Sequence, residues 1–183
     1  DGIRAQLVRR GALNYLWSRG EDLISERFPE LCSVRLPEGT VVDGEVLVWD
    51  HANDVPAPFA ELQRRIGRKT LSSKLLAELP AVLVAYDLLE LDGVDTRALP
   101  QHERRALLET VVTAAAQPQL RISPLVHAAD WGALASLRAA SRGRSGTCRR
   151  RGRWSRRSRR RASPSARRST WLPSRSAARR STL

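Results

Sequence analysis

Apolar and polar residues alternate at Ile3, Ala5 and Leu7, and again from Leu13 to Trp17 beyond Arg10-Gly11. A period of two on each side of a turn signal predicts a β-hairpin. Thr40 to Trp49 is the strongest strand pattern, rich in valine and bounded by Pro37-Glu38-Gly39 and Asp50, since β-branched side chains fit a pleated surface. Ala81 to Leu91 predicts a second long apolar strand that ends at the Asp92-Gly93 turn, and Leu120 to Ser123 predicts a short one.

Helical spacing governs the segments between. Phe59, Leu62, Arg65 and Ile66 fall on one side of a helix over Phe59 to Ile66. A short helix is expected over Leu71 to Leu79, with Ser72 or Ser73 near its start and Pro80 as its stop. Glu103 to Ala116 turns Leu107, Leu108, Val111 and Val112 inward. Leu23 to Leu31 reads as a helix broken by Pro29, and Asp130 as the N-cap of a helix through Leu134 and Leu137 to Ala140. Ser18 to Asp22 and His51 to Pro58 are loops. Strands and helices mix without a βαβ rhythm, so the expected class is α+β, an antiparallel sheet with flanking helices.

Charge divides the chain. The net charge is +13, yet all 19 acidic residues lie between Asp1 and Asp130. Ser141 to Leu183 holds 16 arginines and 10 serines, with no lysine and no acid. The first 140 residues carry a net −3 and the last 43 a net +16, so the basicity belongs to the tail. Residues 1–140 suit one domain, which at that size buries roughly 68–70% of its unfolded surface. Residues 141–183 lack apolar periodicity and repel one another, so disorder is expected. Cys32 and Cys148 form no zinc spacing or disulfide framework, which fits a reducing cytoplasm. No apolar run reaches the roughly 20 residues of a membrane helix. A cytoplasmic monomer without a membrane partner is expected.

Three segments carry candidate chemistry: Asp1-Gly2-Ile3-Arg4, Val42-Asp43-Gly44-Glu45 and Ala85-Tyr86-Asp87-Leu88-Leu89. Each sets an acid or an arginine beside a β-rich run. Read alone, Arg4 could be a solvated strand residue, Arg19 an ordinary turn residue, Glu45 a solvent-facing acid and Tyr86 a core aromatic. In this order, however, the set resembles the adenylation domain of ATP-dependent DNA ligases, most closely the bacterial group associated with cisplatin damage response. The resemblance covers residues 1–140 and implies two antiparallel sheets with flanking helices in an ATP-grasp-like nucleotidyltransferase arrangement.

The resemblance also implies roles. The family's first motif is Lys-x-Asp-Gly with an arginine five residues after the lysine. Arg4 matches that arginine, and the nucleophilic lysine falls two residues before Asp1, so no catalytic residue is assigned within the chain. Arg19 in Ser18-Arg19-Gly20 matches a second arginine that faces nucleotide and nicked DNA; guanidinium forks suit phosphate and ribose oxygens. Glu45 matches the glutamate of the ribose and metal region, and Asp43, two positions away on the same face, is a supporting acid. Tyr86 takes the aromatic position that stacks on adenine, while Asp87 is structural and points to the opposite face. Phe59 to Lys69 and Leu99 to Glu109 also resemble family segments; within the first, the basic run Arg64 to Lys69 is either a solvated helix end or a phosphate-contacting edge. His51, His102 and His127 read as surface residues.

The implied cofactors are ATP and Mg2+ (or Mn2+), and the implied partner is nicked double-stranded DNA. The reaction moves AMP from ATP to lysine, then to the 5′-phosphate of a nick, and closes the nick. Arg4, Arg19, Glu45 and Tyr86 should then converge on one cleft. A fourth motif, Glu-Gly-Leu-x-x-Lys, is expected near residue 141 and does not occur there. A shifted reading frame in GC-rich sequence explains the change of alphabet better than a genuine Arg-Ser tail. The chain is therefore expected to be a ligase fragment, inactive alone. The alternatives are nucleic-acid binding through the arginine tail, which would be strongly salt-dependent, and an RNA ligase of the same superfamily.

Overall fold

A computed structural model describes residues 2–68 and 70–144, with side chains through residue 141. Strands β1 (Ile3–Arg10) and β2 (Leu13–Ser18) form the expected hairpin, with Gly11 at φ 58° in its turn. A 3-10 turn (Ser25–Arg27) and α1 (Pro29–Cys32) follow. The helix expected over Leu23 to Leu31 is thus replaced by two short pieces. Pro29 does not break a helix but begins one, at a position where its missing N–H costs nothing.

β3 (Val41–Asp50) pairs antiparallel with β1, from Ile3 opposite Val46 to Val8 opposite Val41. β4 (Val55–Pro56) folds back onto its end. Helices α2 (Phe59–Ile66) and α3 (Ser73–Glu78) come next; Ser72 caps α3, its hydroxyl accepting the Leu75 N–H at 3.2 Å. β5 (Ala81–Leu91) joins the other edge of β3, and β6 (Val94–Asp95) closes a hairpin on β5. After α4 (Gln101–Ala115), β7 (Leu120–Ile122) lies parallel to β5. This parallel pair departs from the antiparallel expectation, and the intervening helix explains it: a crossover returns the chain in the same direction, whereas a tight turn reverses it. The described strands form one seven-stranded sheet with path β2-β1-β3-β5-β6.

Register assigns the faces. Ile3, Val46, Leu83 and Leu120 form one transverse row; Ala5, Gly44, Ala85 and Ile122 form the next. This face joins Leu16, Leu31, Leu62 and Leu108 in the hydrophobic core. The alternate row, Arg4, Glu45, Val84 and Arg121, lies on the opposite face together with Gln6 and Asp43. The sheet therefore separates its apolar and charged chemistry by residue parity alone.

Between Asp43 and Gly44 the β3–β5 register slips: Gly44 sits opposite Ala85, but Asp43 sits opposite Asp87. Tyr86 is the extra residue of a β-bulge, a device that re-aims a side chain. Gly44 is required beside it. A Cβ there would lie 2.8 Å from Leu83 Cδ1 and from the Val84 carbonyl oxygen. Gly44→Ala should destabilise the fold by about 1–3 kcal/mol through overpacking. Urea unfolding measures this directly; an unchanged midpoint would mean that the two strands separate freely.

The compact unit spans Asp1–His127, shorter than the 140 residues over which one domain is expected. Past Ser123 the chain is exposed and leaves regular structure. A second unit begins at Ala128 and contains α5 (Trp131–Arg144). Asp130 caps it as expected, accepting the Ala133 N–H at 2.7 Å. Of the arginine-rich tail expected over residues 141–183, α5 reaches into the first four residues, and residues 145–183 lie outside the described residues. No described helix is long and apolar enough to cross a membrane.

Candidate functional site

β1 and β3 run side by side, so Arg4 stands directly opposite Glu45 and Gln6 opposite Asp43. Arg4 reaches diagonally to Asp43, its guanidinium donating to Oδ2 at 3.0 Å. The same guanidinium lies 5.6 Å from the centre of the Tyr86 ring. The Tyr86 bulge thus supplies an aromatic face to the arginine of β1 across the intervening strand. Arg19, at the end of the hairpin, is tied to the same place through its backbone: its N–H donates to the Arg4 carbonyl at 3.0 Å. Arg4, Gln6, Ser18, Arg19, Glu21 and Asp43 line a cavity of about 370 Å³, within the range of small-molecule sites.

The electrostatics follow from these contacts. The hydrogen bond that Arg4 donates to Asp43, and then the charge of Asp43, hold the Arg4 guanidinium above its ordinary pKa. Burial pushes the Tyr86 phenol up, and the charge of Asp43 adds to this. Both therefore keep their usual protonation states, cationic and neutral. The Arg4 side chain is 53% exposed against 10% for Asp43. An ion pair this open adds little stability, so its effect is to aim the guanidinium.

The four residues named from sequence do not all share one lining. Arg4 and Arg19 face the cavity, whereas Tyr86 touches Arg4 and lines a second cavity, of about 500 Å³, with Gln101, His102, Arg105, Ser123 and Leu125. Glu45 lies on the same sheet face, but its Oε1 accepts the backbone N–H of Gly2 at 2.5 Å. Asp87 forms a two-pronged ion pair with Arg104 of α4, at 2.8 and 2.9 Å, and fixes that helix to β5.

The basic run on α2 requires a correction. Arg65 is fully buried, paired with Glu30 and bonded to the Leu79 and Arg27 carbonyls, so it cannot contact phosphate or solvent. Arg64 is paired with Glu61 and Glu78. Lys69 lies outside the described residues.

Arg121 escaped the sequence reading. It continues the Arg4–Glu45–Val84 row, sits 4.4 Å from the Trp49 ring and pairs with Asp54 at 2.7 Å. Its place depends on the parallel docking of β7, for which the local pattern carries no signal.

A divalent metal would find few free acids. No cluster of three His, Cys, Asp or Glu side chains occurs among the described residues. Asp43 is engaged by Arg4 and Glu45 by Gly2. Magnesium carried on nucleotide phosphates needs only one or two carboxylates, so the donor set is compatible with a metal that arrives with its nucleotide and poor for a resident one.

Residues 1–138 match the model of the ATP dependent DNA ligase domain. The chain belongs to this ligase-domain family. It is 44% identical over 124 residues to a probable DNA ligase of Opitutus terrae, covering 66% of this chain and 12% of that protein. It is 38% identical over 128 residues to DNA ligase C2 of Mycolicibacterium smegmatis, covering 68% and 35%. The fold matches a solved mycobacterial DNA ligase D complexed with ATP and MES, with TM-score 0.57 and 27% identity over 77% of this chain and 43% of that one. The chain therefore covers less than half the length of each of these proteins, from 12% to 43%.

Proposed function

We propose that this ligase domain holds ATP for transfer of AMP to a lysine and onward to the 5′-phosphate of nicked double-stranded DNA, in a protein that acts as a cytoplasmic monomer. The observation that carries this reading is the Arg4–Asp43–Tyr86 group beside the start of β1 at Ile3. Arg4 and Arg19 bind phosphate or ribose oxygens as forked donors. Asp43 orients Arg4, and Tyr86 supplies the adenine platform. Magnesium, or manganese, bound with the nucleotide neutralises charge on the phosphates. The relatives are named DNA ligases, which supports DNA over RNA as the substrate.

Nucleotide binding tests the platform. Tyr86→Phe should retain ATP affinity, because stacking needs the ring and not the hydroxyl. Tyr86→Ala should lose roughly 1–3 kcal/mol of binding, the usual worth of a base on an aromatic face. Equal affinity of all three proteins by calorimetry would assign Tyr86 to packing alone.

A further inference from the structure

The resemblance gives Glu45 to the ribose and metal region, but the geometry points to a different task. We infer that Glu45 is a positioning residue, whose carboxylate fixes the backbone at Gly2 and so sets the direction of the chain leading to the nucleophile. This rests on the ligase reading above, which places that lysine two residues before Asp1.

Three observations carry the inference. Gly2 immediately precedes the first paired residue of β1, since Ile3 stands opposite Val46. Its N–H donates to Glu45 Oε1 at 2.5 Å, a charge-assisted bond that fixes the Gly2 amide. Gly2 also lies flush on β3. A Cβ would come within 2.7 Å of Glu45 Cγ and 2.6 Å of Leu47 Cδ2, and still closer to the Val46 carbonyl oxygen. A backbone pressed onto the strand and clamped by a carboxylate has little freedom of direction.

The acids of β3 thus divide their work by position. Asp43 aims the Arg4 guanidinium, while Glu45 holds the Gly2 amide. A metal ligand and a backbone clamp respond differently to substitution. Losing a ligand weakens metal binding, so more metal is needed to reach half-maximal rate. Losing a clamp misplaces the nucleophile and lowers the rate at saturating metal. Misplacement by about 1 Å can cost on the order of 100-fold.

The test uses the chain extended by Lys-x before Asp1 and continued past residue 138 as in its relatives, with 15N-labelled glycine. In the parent protein the Gly2 amide proton should resonate far downfield and exchange slowly. Glu45→Ala should abolish both signatures and lower the rate of AMP-adduct formation by about 100-fold, with the half-saturating magnesium concentration unchanged. Glu45→Gln keeps an acceptor oxygen and should retain most of the downfield shift and most of the rate. The inference is overturned if the Gly2 amide is the same in Glu45→Ala, or if both variants raise the magnesium requirement several-fold. A parent protein that forms no adduct would defeat the ligase reading instead, and the Gly2 resonance would then decide the contact by itself.

Discussion

Arg65→Ala should cost about 3–5 kcal/mol of folding stability, the penalty for removing one partner of a buried ion pair. Arg65 lies wholly inside the protein, and its guanidinium is used in full. It donates to both oxygens of Glu30, to the Leu79 carbonyl and to the Arg27 carbonyl, and it stacks 4.9 Å from the centre of the Phe28 ring. It therefore joins α2, α1, the 3-10 turn and the approach to β5 at one point. Alanine would leave the Glu30 carboxylate without its cation and two carbonyls without donors. Set against a typical domain stability of about 5–15 kcal/mol, the variant should be largely unfolded at moderate urea. Glu30→Gln should also be costly, because it strands the buried guanidinium, although Gln can still accept from the Ala81 N–H that Glu30 now receives at 3.0 Å. A double variant, Arg65→Met with Glu30→Gln, removes both charges and should be milder than either single loss implies by addition. Urea midpoints for the set decide the matter, and a loss below about 1 kcal/mol for Arg65→Ala would contradict the burial argument.

Arg65 also shows where a sequence pattern informs and where it stops. Helical spacing placed it on the apolar side of α2 with Phe59, Leu62 and Ile66, and the structure agrees. Its inclusion in a surface basic run failed, because its half-buried partner Glu30 lies 35 residues away on another helix. The long strands were legible for a related reason. Thr40 to Trp49 and Ala81 to Leu91 are central strands, and central strands write their burial into their composition. The direction of β7 was not legible, because three residues carry no sign of their partner.

The candidate site divides along the same line. Parity within β3 already put Asp43 and Glu45 on one face; Arg4 joins them there through the observed register of β1 against β3, where antiparallel pairing preserves alternation. The bulge at Tyr86 could not be foreseen, because it is a shift of register between β5 and β3 that the pattern of neither strand records. Its consequence is visible: Tyr86 meets Arg4 but lines a second cavity.

The chain of 183 residues should form no covalent AMP adduct when incubated with labelled ATP and magnesium. Its only lysines are Lys69 and Lys74, and neither precedes an Asp-Gly pair. Lys74 is exposed on α3 and does not line the cavity at Arg4 and Arg19. Adding Lys-x before Asp1, and continuing the chain past residue 138 as in its relatives, should create an adduct seen as a mass increase of one AMP. Arg4→Ala in that protein should slow its formation by on the order of 100-fold, because a preoriented cation no longer meets the phosphates. Adduct formation on the unextended chain would move the nucleophile to Lys69 or Lys74. It would also detach Arg4 from the role that its position beside Glu45 and Asp43 supports.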